Sequence, residues 1–225
     1  MDGNAAVRLG GISGILYVLL FLPAYIVGYP DALNPASSAQ EVFDYFSVGR
    51  DTFLFFNGTL SIFAVFFFLW FLGILHGLLR RAEGKGIGLS SVALAGGAMF
   101  ATLSWAGVAT EISIPATLGR FANFQEDAQL VFLTLALSSW LYHFCQIGIA
   151  ALVTATSLVA FRTGILPTWL SWAGLVVALL SLLHFLIPLL GALIGMLWVA
   201  VVSVVMLTGS VGHLPIPTRR LARGG

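Results

Sequence analysis

Long apolar runs separated by short polar segments make up most of the chain, at about 8–28, 53–79, 88–113, 128–161, 168–187 and 189–208. Each reaches the roughly 20 residues that a helix needs to cross a bilayer. Within hydrocarbon only a helix, or a closed barrel, satisfies every backbone N–H and C=O internally. The pattern therefore predicts an all-α chain with six transmembrane helices in one domain, 1–225. The last two runs form one apolar block from Thr168 to Thr208. As a single helix it would be roughly 62 Å long, twice the hydrocarbon thickness, so it must reverse. Pro188 and Gly191 are the breakers placed for that reversal.

Two polar segments carry their own signals. Asn34-Pro35, then Ser38 with Glu41 three residues later, reads as a helix start, and Val42, Phe43, Tyr45 and Phe46 give that helix an apolar face. A short interfacial helix is expected on the outer surface between the first two spans, either packed on the bundle or acting as a lid over a substrate. Asn123-x-x-Glu126 is a capping box that opens the fourth span. From Ala128 to Phe161 that span would run roughly 51 Å, so it tilts or projects outward.

Composition agrees with the pattern: 59% of the residues are hydrophobic and 8% charged, far from the soluble average. A net charge of +1 leaves no basic excess for a nucleic-acid backbone. The basic residues are unevenly placed. Arg8, Arg80, Arg81, Lys85, Arg162, Arg219, Arg220 and Arg223 fall on one side of the expected membrane, and Arg50 and Arg120 on the other. The positive-inside rule then puts both termini in the cytoplasm, with the chain a multi-pass protein of the cell membrane. The single cysteine, Cys145, cannot form an intrachain disulfide. Lys85, the only lysine, lies in a loop, so no buried amine is available for a retinal linkage. Phosphate-loop, HExxH, GxSxG and CxxC motifs do not occur.

The segment Arg162-Thr-Gly-Ile-Leu-Pro167-Thr-Trp169-Leu-Ser-Trp172-Ala-Gly174 resembles a bacterial family of multi-pass membrane proteins catalogued as a domain of unknown function, type 4386. The opening Gly10-Gly11-Ile-Ser-Gly14-Ile-Leu-Tyr is similar to it as well. The resemblance implies about six helices and brings no catalytic residue.

Candidate chemistry comes from the depth of polar groups, which are expensive inside a bilayer. At about 1.5 Å per residue, Asn57 lies roughly 33 Å above Leu79, Glu111 roughly 35 Å above Gly88, His143 roughly 27 Å above Phe161, and His184 roughly 24 Å above Thr168. All four fall near the outer boundary. Ser139, His143, Gln146 and Ala150 share a helical stripe of small and polar residues, which is where helices approach closely. Asn57, Glu111, Tyr142, His143, Gln146 and His184 are therefore the candidate lining of an outward-facing polar pocket. Two readings stay open at this point: a ligand site, or polar groups that are individually satisfied.

The ligand reading makes the chain a non-catalytic binder of a small molecule or a lipid headgroup, with membrane lipids as its partners. One alternative is a small transporter or channel working as a homo-oligomer. Another is an intramembrane enzyme in which the two histidines, with Glu111, hold a metal, or ligate a haem by themselves. No cofactor is assigned by the residues alone.

Overall fold

A computed structural model of the chain describes residues 3–28, 37–85, 88–121, 128–184 and 188–209. Among these residues all regular structure is helical. The elements are α1 (Gly3–Gly28), α2 (Ala39–Val48), α3 (Arg50–Phe53), α4 (Ser61–Glu83), α5 (Leu89–Arg120), α6 (Ala128–Thr163), α7 (Thr168–Leu182) and α8 (Pro188–Thr208). A π-helical segment, Leu54–Leu60, joins α3 to α4. Four stretches are long and apolar enough to cross a membrane: Asn4–Val27, Arg50–Glu83, Leu89–Thr117 and Gln129–Thr163. Thr168–Leu182 and Leu193–Thr208 are shorter apolar helices.

The helices follow the apolar runs, with two corrections at the end of the chain. Helix was expected to continue to 187, but α7 stops at Leu182. There the Leu183 N–H bonds back to Leu179, and the ring of His184 donates from Nδ1 to the Ser181 carbonyl at 2.7 Å. A polar side chain thus satisfies an end carbonyl that an apolar run does not announce. The reversal expected at Pro188 and Gly191 also moves. Pro188 is the first residue of α8, where its missing N–H goes unused, and Gly191 lies inside that helix. Both residues therefore belong to α8, and neither ends α7.

Contacts fix the direction of each neighbour. Positions Gly10 and Gly14 of α1 face Ile74 and Phe71 of α4, and Met206 and Ser203 of α8, so both partners run opposite to α1. Trp105 Nε1 donates to the Ser61 carbonyl, and a ring nitrogen of His76 lies 2.9 Å from the Ser90 carbonyl, which makes α4 and α5 antiparallel. Gly96 opposite Gly148 and Gly107 opposite Ser138 do the same for α5 and α6. Ser157 opposite Gly174, with the Phe161 ring against Trp172, orients α7 against α6. Gly174 also faces Trp198 of α8. The order α1, α4, α5, α6, α7, α8 closes on itself as a ring of alternating helices, and α6 additionally touches α4 and α8.

The backbones of α5 and α6 come into contact at glycines. A Cβ on Gly96 would lie 2.7 Å from the Gly148 carbonyl oxygen, and one on Gly148 would lie 2.5 Å from the Phe100 nitrogen. In lipid no hydrophobic force draws helices together, so such backbone contact is a main source of cohesion. The outward surface is the reverse of a soluble one. Leu19, Ile26, Ile62, Leu133, Trp140, Trp172 and Leu197 are all exposed.

At the end opposite Arg8 and Arg81, α5 and α6 extend beyond the other helices and α2 packs against them. Val42 and Phe46 of α2 join Phe53, Ile114 and Val131 in a small second core. The long helix α6 therefore projects past the bundle at this end. Ser38 caps α2 in a reciprocal box with Glu41, and the Ser38 N–H and hydroxyl hold the Glu41 carboxyl below its ordinary range. This helix is packed on the bundle. Asn34-Pro35, the Asn123-x-x-Glu126 box and the Phe43 side chain lie outside what is described.

The Gly96–Gly148 contact gives a direct test. Gly148→Ala is expected to destabilise the protein by about 1–3 kcal/mol, because the new methyl meets backbone that cannot yield. Gly73→Ala meets nothing within 4 Å and should be neutral or slightly stabilising through helix propensity. Unfolding of the two variants in the same detergent distinguishes them, and equal midpoints would mean that α5 and α6 do not meet at glycine.

Candidate functional site

The polar residues at the projecting end separate into two centres. The first is built by α6 and the end of α7. His143, half-buried on α6, and His184, 7% exposed just after α7, approach with His143 Nδ1 and His184 Nε2 2.6 Å apart. The edge of Tyr142 packs near the His184 ring at 6.4 Å between centroids, and Trp140 packs on His143 at 5.6 Å.

Hydrogen-bond roles in this pair follow from the carbonyl at its inner end. A backbone oxygen only accepts, so His184 Nδ1, 2.7 Å from the Ser181 oxygen, carries a hydrogen. In the neutral ring His184 Nε2 is then a lone pair, and His143 Nδ1 must donate to it. His143 Nε2 is left as an acceptor at the half-buried end of the relay. A carbonyl behind a histidine fixes its tautomer in the same way in metal sites.

The second centre lies on the other side of α6. Ser138 of α6 donates its hydroxyl to Glu111 Oε1 of α5 at 2.5 Å. Tyr45 of α2 lies close by. Its hydroxyl donates to the Val27 carbonyl at the end of α1 at 2.6 Å, and its pKa is raised, first by burial and then by the negative charge of Glu111. Pro115 has no N–H, so it frees the backbone carbonyl of Glu111 four residues earlier.

The candidate pocket is thus only partly assembled. Tyr142, His143 and His184 come together. Glu111 does not join them: among the described residues α5 and α7 make no contact, and α6 stands between them. Asn57 is buried in the π-helical segment, and its Nδ2 makes no hydrogen bond among the described residues. Gln146 is buried beside Cys145, with Nε2 3.6 Å from Sγ and Oε1 without a partner among the described residues. Ser139, expected to face inward, is exposed, and Ser138 is buried in its place.

The sequence reading missed Ser138, Tyr45 and the Ser181 carbonyl. Only Tyr45 carried a prior signal, as part of the apolar face of α2. No group of three His, Cys, Asp or Glu side chains stands close enough to hold a metal among the described residues. The facing nitrogens of the histidine pair are bonded to each other, and an ion at the usual Zn–N distance of about 2.0–2.1 Å from both would have to part them. Only His143 Nε2 can meet an ion or a haem iron with the pair intact.

The relay predicts a definite tautomer state. In 15N-histidine-labelled protein at neutral pH, both His143 and His184 should carry their hydrogen on Nδ1. An Nε2–H tautomer at His184 in the neutral protein would contradict the bond to Ser181.

Comparison with protein families, with functionally characterised proteins and with solved structures finds no match to this chain, so its chemistry rests on this geometry alone.

Proposed function

We propose that the chain is a six-span integral protein of the bacterial inner membrane whose outer polar layer binds the polar end of a small molecule or a lipid headgroup, without catalysis. Six spans are supported by the ring of alternating helices. The helix α8 has 21 residues, about 31 Å, enough to cross. The helix α7 has 15 residues, about 22 Å, and needs local thinning or partner helices to be accommodated. Alternation brings Arg8, Arg80, Arg81, Lys85 and Arg162 to one end of the bundle, which the positive-inside rule assigns to the cytoplasm. Exposed Trp169 and Trp172 at that end, and Trp140 toward the other, suit the two interfaces. Membership of the type 4386 family belongs to the same proposal and adds only its helix count.

The observation that carries the binding reading is the histidine relay. It spends three of its four ring nitrogens on internal hydrogen bonds and leaves His143 Nε2, half-buried, as the group able to meet a ligand donor. Aromatic edges from Trp140 and Tyr142 flank it. A ligand with one hydroxyl, amine or acid hydrogen and an apolar body suits such a place.

Topology is tested by reporter fusions. Those after Arg81, after Arg162 and at Gly225 should report cytoplasm, and one after Asn123 should not; an external C-terminus would refute six spans. Binding is tested by mass spectrometry of protein purified with its bound lipids and small molecules. A species retained by the parent protein should be held roughly 5- to 30-fold more weakly by His143→Ala, the equivalent of a lost hydrogen bond of about 1–2 kcal/mol. Identical retention by both proteins would remove His143 from the site.

A further inference from the structure

A second polar site lies in the other half of the bundle, where α6, α7 and α8 meet. Hydroxyls in these helices behave in two ways. Thr110, Thr134, Thr163 and Ser203 donate to the carbonyl four residues earlier in their own helix, which satisfies them locally. Ser157 of α6 and Ser171 of α7 do not. Both are 1% exposed, and neither hydroxyl has a partner among the described residues. The indole N–H of Trp198 on α8, 3% exposed, is unpartnered in the same sense.

These groups converge on Gly174. A Cβ built there would lie 2.1 Å from Ser157 Oγ and 3.1 Å from Trp198 Nε1. The two polar atoms are therefore no more than about 5 Å apart, yet they make no hydrogen bond to each other. One water with two bonds of about 2.8 Å bridges any separation up to that limit and gives both groups the partner they do not find in each other. Ser157 and Trp198 supply two polar contacts, the minimum that a buried water needs. Val153 forms an apolar wall 3.3 Å from the same point. A buried indole N–H in hydrocarbon is costly unless something accepts from it.

We propose that Gly174 is a binding site for an internal water that accepts from Trp198 Nε1–H and bonds Ser157 Oγ. Glycine is required because a Cβ there would lie 2.1 Å from Ser157 Oγ and push the hydroxyl away from the indole. The site lies roughly 9 Å along α7 from Thr168, whereas His184 lies roughly 24 Å along it, so it is independent of the outer layer.

The test uses full-length 15N-tryptophan-labelled protein in lipid nanodiscs. Six indole signals are expected from the six tryptophans, with Trp198 assigned by its loss in Trp198→Phe. The Trp198 indole hydrogen should show a dipolar cross-peak to water. That cross-peak should disappear in Gly174→Ala and weaken in Ser157→Ala, while the other five indole signals keep their shifts and report a retained fold. If Gly174→Ala does not fold, Ser157→Ala decides alone. A Trp198 indole without water contact in the folded parent, or a cross-peak unchanged in Ser157→Ala, would overturn the proposal.

Discussion

The backbone contact between Gly96 and Gly148 sets the rotation of α6, and the placement of the polar groups on that helix follows from it. At about 100° per residue, Leu141, Cys145 and Ser138 fall within about 80° of the Gly148 direction, toward α5. Val153, Ser157 and His143 fall about 140° to 180° away from it, toward α7. One glycine pair thus hands Ser138 to Glu111 on one side and His143 to His184 on the other. A helix held by larger residues would stand further from α5, and the 2.5 Å bond between Ser138 and Glu111 would open. Because lipid supplies no hydrophobic force between helices, few other contacts compete to set this angle.

This explains which parts of the molecule were legible from the residues. Element existence and depth were: apolar runs locate the helices, and a fixed rise per residue placed His143 and His184 at matching heights before any contact was known. Azimuth and neighbour order were not. Glu111 has the right depth, but the ring order puts α5 and α7 on opposite sides of α6, and nothing in the run lengths reveals that order. Ser139 and Ser138 differ by one residue and about 100°, which is the whole difference between an exposed and a buried hydroxyl. The early end of α7 was hidden for another reason. It depends on a side-chain bond from His184 to Ser181, and a hydropathy pattern contains no hydrogen bonds.

The hydroxyls show a related limit. Thr163 and Ser157 lie on the same helix six residues apart, and either could bond its own backbone. Thr163 does so, while Ser157 turns toward Gly174. The choice is made by what stands opposite: a glycine on α7 leaves room for a polar group to leave its helix. Small residues in membrane helices therefore do two separate jobs here. At Gly96 they let backbones touch, and at Gly174 they open space beside a polar pair.

The shape of the histidine relay bears on what this end of the bundle can do. A proton reaching His143 Nε2 can pass from Nδ1 to His184 Nε2, but the far nitrogen of His184 is committed to a carbonyl that has no hydrogen to hand on. Conduction would require His184 to leave Ser181 and uncap α7 in every cycle. Holding one proton or one ligand requires no such step. The relay also stands apart from Glu111, whose carboxyl is engaged by Ser138 and lies beside Tyr45 on the α2 side of α6. With acid and base on opposite faces of one helix, a single substrate cannot meet both across α6, and concerted acid–base catalysis through the two centres is geometrically disfavoured. Recognition by the histidine pair alone, with α6 held in register by its glycine contact, needs the fewest moving parts.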